Sequence, residues 1–370
     1  MLGGNDIRAN AARFKAFPAP PPAGRVLVIR LGALGDVVRT RFAFAGVRAL
    51  YPDAKIDWLI EDRAVAGLVG LDGLDEAMIV PRRRLRARHP LVALRTVREF
   101  VRDLRERAYD LSIDFHGVFR GAILSWSAGI PVRVGYDGPI AKEGSARLLT
   151  HRLRVGPAHI SRFERNAALV EFLGGRVPDE PAPLRLDATA CITAPLPEVF
   201  ALIHPGTSPK TSYKRWEAER FAAVARGLHE RAGLPSLVAF GPVAGEQAAA
   251  RAVVAASGGA ALLAPPTASI AEFESLLGRA AVFIGCDSGP MHLASLARTP
   301  VVAIFGPTDP VENGPFPGVP SRIVRSDVGC NPCREGCPVR ACMRAVEPEA
   351  VVAAALSLLA ALPTEARRGI

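Results

Sequence analysis

The residues best suited to chemistry lie late in the chain, in positions 285–310, which read GCDSGPMHLASLARTPVVAIFGPTDP. The apolar runs VFIG and VVAIF predict two buried strands of a parallel sheet with a short helix between them. That helix would begin at Asp287, Ser288 and Gly289, whose side chains can cap it and whose backbone amides can hold an anion. The segment therefore suits the diphosphate of a nucleotide, although a capped surface helix of any α/β protein has the same residues.

A second polar turn, IHPGTSPKTSYKRW at positions 203–216, also follows a predicted strand. The backbone amides of Gly206 and Thr207, the hydroxyls of Thr207 and Ser208, and a lysine are what a departing diphosphate needs, because charge grows on its oxygens. A solvated basic loop is the alternative. His292, on the helix of the first segment, either contacts the same ligand or is an ordinary helix residue.

The first strand of the chain ends in the turn LGALGD at positions 31–36. Gly32 and Gly35 would let a bulky group approach the backbone, and Asp36 would stand at a helix start, as an ordinary N-cap or as a proton acceptor. His116 and Arg120 follow another predicted strand. Because ligands of open α/β sheets bind at the carboxyl ends of strands, we expect these side chains to face the same cleft.

The charge balance favours anionic partners. The chain has 46 Lys and Arg against 36 Asp and Glu, a formal net charge of +10. Its densest basic cluster consists of Arg82, Arg83, Arg84, Arg86 and Arg88. Neither interleaved aromatic residues nor a nucleic-acid-binding motif accompanies the cluster, so the sequence predicts no nucleic-acid partner and leaves a phospholipid surface or an acidic saccharide.

Four of the six cysteines stand close together, at Cys330, Cys333, Cys337 and Cys342. Two, three and four residues separate them, a spacing that suits a closed tetrahedral zinc site. Four reduced thiols in a packed loop are the alternative. A disulfide framework is not expected, since the amino-terminal segment lacks the apolar core of a signal peptide and the protein is predicted to be cytoplasmic.

The elements that must position these residues alternate between strands and helices, which predicts an α/β fold with parallel sheets. With 370 residues, the chain is long enough for two domains. The predicted divisions are a disordered leader at 1–24, an amino-terminal Rossmann-like domain at 25–180, a proline-rich linker at 181–198, a carboxyl-terminal Rossmann-like domain at 199–346, and a terminal helix and tail at 347–370. No apolar run approaches the roughly 20 residues of a membrane-spanning helix.

Three motifs together resemble the lipopolysaccharide heptosyltransferase family, glycosyltransferase family 9. They are DSGPMHLA followed by a strand and FGPTDP, the Lys-x-Trp at positions 214–216, and the opening strand-x-G-x-x-G-D. The resemblance extends from about position 25 to about position 351. It implies the GT-B architecture, two Rossmann-like parallel-sheet domains facing a cleft.

The resemblance also implies a reaction: inverting transfer of L-glycero-D-manno-heptose from ADP-heptose to the inner core of lipopolysaccharide, either Kdo-lipid A or heptosyl-Kdo. The enzyme would work at the cytoplasmic face of the inner membrane, in peripheral contact with its anionic surface. The transfer would need no cofactor, so that any zinc would be structural. Transfer of another nucleotide sugar to a surface glycan and non-catalytic binding of nucleotide or anionic glycan remain alternatives.

The same resemblance implies the roles of Asp36 and Lys214, and the other binding residues are predicted from their chemistry and their positions at strand ends. Asp36 would be the general base, and Lys214 rather than Lys210 the phosphate-binding lysine. The donor would bind to Gly206, Thr207, Ser208, Lys214, Asp287, Ser288, Gly289 and His292. The acceptor would bind to Gly32, Gly35, Arg82, Arg83, Arg84, Arg86, His116 and Arg120.

Overall fold

The structure is a computed structural model that describes residues 17–81, 90–156, 160–180, 192, 194–242, 245–333 and 336–361. Internal contacts divide the chain into two compact units, Met1–Arg185 and Leu186–Ile370, called here unit 1 and unit 2. The division falls inside the segment predicted as a linker, of which residues 181–191 and 193 lie outside the described part.

Unit 1 is built on a six-stranded parallel sheet with the order β3-β2-β1-β4-β5-β6. Its strands are β1 (Arg25–Ile29), β2 (Lys55–Glu61), β3 (Glu76–Val80), β4 (Leu111–Asp114), β5 (Val132–Tyr136) and β6 (His151–Leu153). Its α-helices are α1 (Leu34–Leu50), α2 (Pro90–Glu106), α3 (Phe119–Ser127) and α4 (Arg162–Phe172). Short 3-10 helices cover Asp62–Leu68, Gly138–Ile140 and Ser145–Leu148.

The core of unit 1 explains why β1 is central. Val28 lies opposite Trp58 of β2 on one side and Ile113 of β4 on the other, and all three side chains are fully buried. Phe44 of α1 packs on Trp58 with ring centroids 5.6 Å apart. Such a strand, covered on both faces, must be a continuous apolar run, which is the pattern that the sequence has there.

Part of the segment predicted to be a disordered leader is ordered against unit 1. The ring of Phe17 lies 5.3 Å from that of Phe172, and the Phe17 amide donates to the Phe172 carbonyl at 2.9 Å. Pro20 lies against Gly174. The expectation is therefore wrong for these residues, because ring packing and a backbone hydrogen bond tie this stretch to the end of α4. Residues 1–16 lie outside the described part.

Unit 2 has a second six-stranded parallel sheet, in the order β12-β11-β10-β7-β8-β9. Its strands are β7 (Ala201–His204), β8 (Ser236–Val238), β9 (Ala261–Leu263), β10 (Val282–Cys286), β11 (Val301–Phe305) and β12 (Ser321–Arg325). Its helices are α5 (Ala218–Ala232), α6 (Glu246–Ala256), α7 (Ile270–Arg279), α8 (Gly289–Leu296), α9 (Pro310–Asn313), α10 (Ala341–Arg344) and α11 (Pro348–Ala360). A 3-10 helix covers Pro209–Lys214.

The two sheets have the same order when each is numbered from its own first strand. In both, the direction of winding reverses beside that first strand, between β1 and β4 in unit 1 and between β7 and β10 in unit 2. Ligands of doubly wound sheets bind at the carboxyl ends of such strand pairs. The α/β prediction with two Rossmann-like sheets is confirmed. Among the described residues, no helix is both long enough and apolar enough to cross a bilayer.

Candidate functional site

Asp36 lies just beyond the carboxyl end of β1, at the reversal point of the first sheet. Helix α1 has Ala33 as its N-cap, so Asp36 is the third helical residue, and the alternative that it is an ordinary N-cap is wrong. Its side chain is 17% exposed. A carboxylate in the first helical turn interacts favourably with the helix dipole, but here its side-chain contacts are with arginines.

Three guanidinium groups contact the Asp36 carboxylate directly. Arg30 Nη2 lies 2.5 Å from Oδ2, Arg162 Nη1 donates to Oδ1 at 2.8 Å, and Arg39 Nη2 also donates to Oδ1. Arg30 follows β1 and also donates to the Phe115 carbonyl after β4 at 2.7 Å. It thereby joins the two strands that flank the reversal point.

These arginines set the charge state of Asp36. Burial by itself raises the pKa of Asp36, but the positive charges of Arg30, Arg39, Arg162 and Arg165 outweigh it and hold that pKa well below its usual value. The carboxyl group is therefore ionised at every physiological pH. A base with so low a pKa is a weak proton acceptor unless ligand binding changes its surroundings.

His116 and Arg120 have protein partners of their own. The Leu31 amide donates to His116 Nδ1 at 3.3 Å, while burial, with Arg30 and other arginines, lowers the pKa of His116 to about 3, so the ring is neutral. Arg120 pairs with the nearly buried Glu61, which also accepts from Arg63 at 2.7 Å.

The remaining predicted acceptor residues are two glycines in the described part of the chain and four arginines outside it. Gly32 has φ +149°, and a side chain there would be strained whatever the space around it, while Gly35 lies in the first turn of α1. The predicted acceptor arginines Arg82, Arg83, Arg84 and Arg86 lie outside the described residues.

In unit 2, the predicted donor residues Lys214 and Asp287 meet. Lys214 Nζ donates to Asp287 Oδ2 at 2.7 Å, and the side chains are 15% and 6% exposed. The Thr308 hydroxyl donates to the same oxygen at 2.7 Å. Asp287 follows β10 and Thr308 follows β11, so neighbouring strands of the sheet deliver both groups. Lys210 is exposed.

The turn after β7 is held by its own polar groups. The Gly206 amide donates to His204 Nδ1 at 3.2 Å, and Arg215 donates to the Thr207 carbonyl at 2.8 Å and to its hydroxyl at 3.1 Å. The hydroxyls of Ser208 and Thr211 lie 2.9 Å apart. These bonds fix a turn of small hydroxyl residues at the carboxyl end of β7.

Helix α8 begins as the sequence predicts, but its predicted caps do not act as caps. Ser288 is the N-cap and its side chain makes no capping bond; its buried hydroxyl has no hydrogen-bond partner within the described residues. The Asp287 carboxylate is engaged by Lys214 and Thr308 instead. Gly289 is the first helical residue, and His292 Nε2 lies 3.8 Å from Asp287 Oδ1. An unused hydroxyl at a helix start is suited to an incoming anion.

The sequence profile of glycosyltransferase family 9 (heptosyltransferase) matches residues 97–342, more than half of the chain. The chain belongs to glycosyltransferase family 9. It is 27% identical to lipopolysaccharide heptosyltransferase 1 of Pseudomonas aeruginosa over 315 residues, which cover 84% of this chain and 86% of that one. Lipopolysaccharide heptosyltransferase 1 of Escherichia coli K12 is 25% identical over 77% of this chain and 89% of its own.

Solved structures agree on the fold. Escherichia coli heptosyltransferase WaaC with ADP superimposes with a TM-score of 0.70 at 20% identity, covering 90% of this chain and 99% of that one. The same enzyme with ADP-2-deoxy-2-fluoro heptose gives 0.69 at 21% identity, with coverages of 88% and 97%. The chain is thus a family 9 glycosyltransferase of the GT-B fold class.

The cysteine loop of this family 9 chain is anchored beside the predicted donor residues. Cys330, Cys333 and Cys337 are exposed and Cys342 is buried. The described residues contain no group of three or more His, Cys, Asp or Glu side chains arranged to hold a metal, so the zinc site stays a prediction. Gly336 lies so close to Tyr213 that a Cβ atom there would be 2.4 Å from its ring.

A second contact ties the cysteine loop to the same turn. Arg340 Nη1 donates to the Arg215 carbonyl at 3.2 Å, just after Lys214. Through these two contacts, the described part of the cysteine loop packs against the Pro209–Lys214 helix and the residue that follows it.

Several polar residues at the two reversal points were not singled out from the sequence: Arg30, Arg39, Arg162, Thr308 and Glu246. Glu246, at the start of α6, is 8% exposed; its Oε2 accepts from the Gly241 amide at 2.8 Å and lies 4.0 Å from His204 Nε2. Thr308 lies in the FGPTDP motif, which was a usable signal. Arg162 gave none, because it is 126 residues from the carboxylate it contacts. Arg39 lies three residues after Asp36 on α1, a spacing at which helical side chains pair, and this signal was overlooked.

Proposed function

We propose that this protein is an inverting heptosyltransferase that moves L-glycero-D-manno-heptose from ADP-heptose to the inner core of lipopolysaccharide. The proposal draws its substrates from the names of the family 9 relatives and their complexes. The observation that carries it is the Lys214–Asp287 pair at the reversal point of the second sheet, beside the start of α8. A lysine and a helix start whose N-cap side chain makes no capping bond are suited to bind a nucleoside diphosphate.

In this reaction Asp36 is the general base. The acceptor hydroxyl gives its proton to the Asp36 carboxylate as its oxygen attacks the anomeric carbon, and the bond from that carbon to the diphosphate breaks. Attack from the face opposite the leaving group inverts the configuration in one step. For this step, Asp36 must lie within hydrogen-bond reach of the acceptor hydroxyl and have a free lone pair.

Lys214 has the complementary role on the donor. Negative charge grows on the diphosphate oxygens as the bond breaks, and an ammonium group at that point stabilises the transition state more than the ground state. Asp287 holds Lys214 in place before the donor arrives, at 2.7 Å. The backbone amides at Gly206 and Thr207 and the hydroxyl of Ser288 are further donors for the phosphates.

The acceptor is a membrane lipid, so we further propose that the enzyme is cytoplasmic and binds the anionic surface of the inner membrane. The first turns of α2 support this proposal. Leu91 and Leu94 are 67% and 47% exposed, with the exposed Arg95, Arg98 and Arg102 beside them. An apolar strip flanked by arginines suits the boundary between lipid headgroups and acyl chains.

A transfer assay tests the proposed function. The purified protein is incubated with ADP-heptose and heptose-free lipopolysaccharide core, with UDP- and GDP-sugars as competitors. We expect addition of a single heptose that the competitors do not suppress. Transfer from a UDP- or GDP-sugar instead would assign a different donor, and tight ADP binding without transfer of any sugar would identify a non-catalytic binder.

A further inference from the structure

Asp114 is a buried carboxylate at the reversal point of the first sheet, and no step of the proposed reaction uses it. It is 1% exposed, and its Oδ1 accepts from the His116 amide at 2.7 Å and from the Gly117 amide at 3.0 Å. A hydrogen bond from an amide to a carboxylate is stronger than one between neutral groups. Asp114 therefore anchors the turn formed by residues 115–117, called here the β4 turn.

Two glycines close on Asp114 and leave its side chain little room to move. A Cβ atom at Gly121 of α3 would lie 2.8 Å from Ile29 and 3.5 Å from Asp114 Oδ2, and one at Gly135 of β5 would lie 3.2 Å from the Asp114 Cβ atom. Within the described residues, the buried Oδ2 of Asp114 has no hydrogen-bond partner. The hydrogen bonds of this side chain therefore run through Oδ1 to the β4 turn.

The β4 turn contacts the two residues that follow β1. Arg30 Nη1 donates to the Phe115 carbonyl at 2.7 Å, and the Leu31 amide donates to His116 Nδ1 at 3.3 Å. His116 can accept this bond because burial lowers its pKa to about 3 and keeps the ring neutral. By anchoring the turn, Asp114 places both of the groups that receive hydrogen bonds from Arg30 and Leu31.

Arg30 transmits this arrangement to Asp36. While its Nη1 is bonded to the Phe115 carbonyl, its Nη2 lies 2.5 Å from Asp36 Oδ2. The other two arginines in contact with this carboxylate, Arg39 and Arg162, bind Oδ1. A carboxylate oxygen has two lone pairs, so Oδ2 keeps one for the proton of the acceptor hydroxyl. The direction of that lone pair depends on the position of Arg30.

We propose that Asp114 is a positioning residue for the general base: through the β4 turn it holds Arg30, and Arg30 orients Asp36 so that the free lone pair of Oδ2 faces the attacking hydroxyl. This inference rests on the proposed function, since it takes Asp36 as the base. In this role Asp114 touches no substrate and moves no proton. Its contribution is geometric, because displacing a catalytic group by about 1 Å can cost about 100-fold in rate.

Asp114→Ala removes the anchor of the β4 turn and tests the inference in the transfer assay with ADP-heptose and heptose-free lipopolysaccharide core. We expect kcat to fall by about 10- to 100-fold, while the KM for the core changes by less than about threefold and ADP binds as it does to the wild type. A loss that appears only in KM would contradict the inference.

Asp114→Asn separates the anchoring oxygen from the charge. It keeps an acceptor oxygen for the two amides, so it should retain more than about a third of the wild-type kcat. If Asp114→Asn is as slow as Asp114→Ala, the charge of Asp114 matters rather than the turn, and the inference is wrong.

The matched control is Asp110→Ala, at the opposite end of β4. Asp110 Oδ2 also accepts from two backbone amides, those of Gly24 at 2.8 Å and Arg25 at 2.9 Å, where β1 begins. Its loss should lower the free energy of unfolding, because two amides lose a charged acceptor, but should leave kcat unchanged. An Asp110→Ala enzyme as slow as Asp114→Ala would show that general loosening of β1 and β4 causes the loss, which would overturn the inference.

A double-mutant cycle with Arg30→Gln tests the route. If Asp114 acts through Arg30, Asp114→Ala should lower kcat by less than about threefold once Arg30 has been replaced, because coupled residues have non-additive effects. Effects that multiply would exclude Arg30 as the link. If Asp114→Ala does not fold, Asp114→Ser, whose hydroxyl stands closer to the main chain, takes its place in every comparison.

The proposed function is judged separately, from the wild type. A wild type that transfers heptose, together with an Asp114→Ala variant of wild-type kcat, overturns the inference and leaves heptosyl transfer intact. A wild type that transfers no heptose refutes the proposed function. In that case the same cycle, measured as the free energy of unfolding in urea, decides whether Asp114 holds Arg30: additive losses mean that it does not.

Discussion

Lys214 and Asp287, 73 residues apart in the chain, form a 2.7 Å ion pair at the carboxyl end of β10. The pair holds Lys214 in place in a largely buried setting, because the side chain of Asp287 is only 6% exposed. In the proposed donor site, the diphosphate would meet a cation whose position is already fixed, which lowers the entropy cost of binding.

We therefore expect Lys214→Ala to weaken ADP binding by about 10- to 150-fold, the range for loss of one charged hydrogen bond. Isothermal titration calorimetry measures it. Asp287→Ala should weaken ADP as well, since Lys214 loses its support. Lys210→Ala, at an exposed position of the same turn, is the control and should bind ADP normally. If both Lys214→Ala and Asp287→Ala bind ADP like the wild type, the donor site is elsewhere.

Asp36→Asn should lower kcat by about 100- to 10,000-fold, the usual contribution of a general base, with ADP affinity nearly unchanged. It should also lower the free energy of unfolding, because Arg30, Arg39 and Arg162 then repel one another without a carboxylate between them. Asp75→Asn removes the partner of another arginine, Arg48 at 2.8 Å, and controls for loss of an ion pair. A folded Asp36→Asn enzyme that keeps more than about a tenth of the wild-type kcat would mean that Asp36 is not the base.

Asp114 should make stability depend on pH in an unusual direction. Burial raises the pKa of Asp114 to about 6, partly offset by hydrogen bonds from the Gly117 and His116 amides and by Arg30. Between about pH 4 and pH 6 the native state therefore holds a proton that the unfolded chain has lost, and the free energy of unfolding falls as pH rises.

Urea unfolding of wild type and Asp114→Asn measures this effect. The stability of the wild type relative to the variant should fall by about 2 kcal/mol between pH 4 and pH 6. The comparison cancels His204, whose pKa of about 4, lowered by burial, acts in the opposite direction. A difference that stays constant with pH would show that Asp114 titrates normally.

The exposed strip on α2 should bind vesicles of phosphatidylglycerol and not of phosphatidylcholine. Leu91→Glu with Leu94→Glu should reduce sedimentation with the anionic vesicles by about tenfold or more, since burying a leucine side chain is worth about 1.5–3 kcal/mol. Raising the salt should weaken binding further. Leu262→Glu, at a 56% exposed position of β9, is the control. Wild-type binding by the double variant would exclude α2 as the membrane surface.

For the cysteine loop we predict about one equivalent of structural zinc, measured by elemental analysis of protein prepared without added metal. Cys333→Ser with Cys337→Ser should lose the metal and some stability, and retain ADP binding. Cys286→Ala changes a buried cysteine outside the loop and should keep the zinc. If the wild-type protein contains no metal, the zinc prediction is wrong and the four cysteines are reduced thiols in a packed loop.

The sequence predicted the central strands because each is an apolar run covered on both faces. It did not predict β6 and β12, which lie at sheet edges and have polar, partly exposed residues. The Lys214–Asp287 site was predicted from its two motifs. The contact of Arg162 with Asp36 was not, because it depends on the docking of α4 against α1, and no local pattern encodes it. Arg39 was missed although its i,i+3 spacing from Asp36 on α1 is a local signal.

The packing of Gly336 on Tyr213 also bears on how sequence variation in this chain should be interpreted. Position 336 has φ +72° and no room for a Cβ atom, so a replacement there must push the Tyr213 ring and, with it, the residue that follows, Lys214. If Lys214 binds the nucleotide as proposed, a natural variant at position 336 would therefore lose nucleotide affinity before it lost its fold. Its phenotype would resemble a donor-site mutation although the altered residue lies in the cysteine loop.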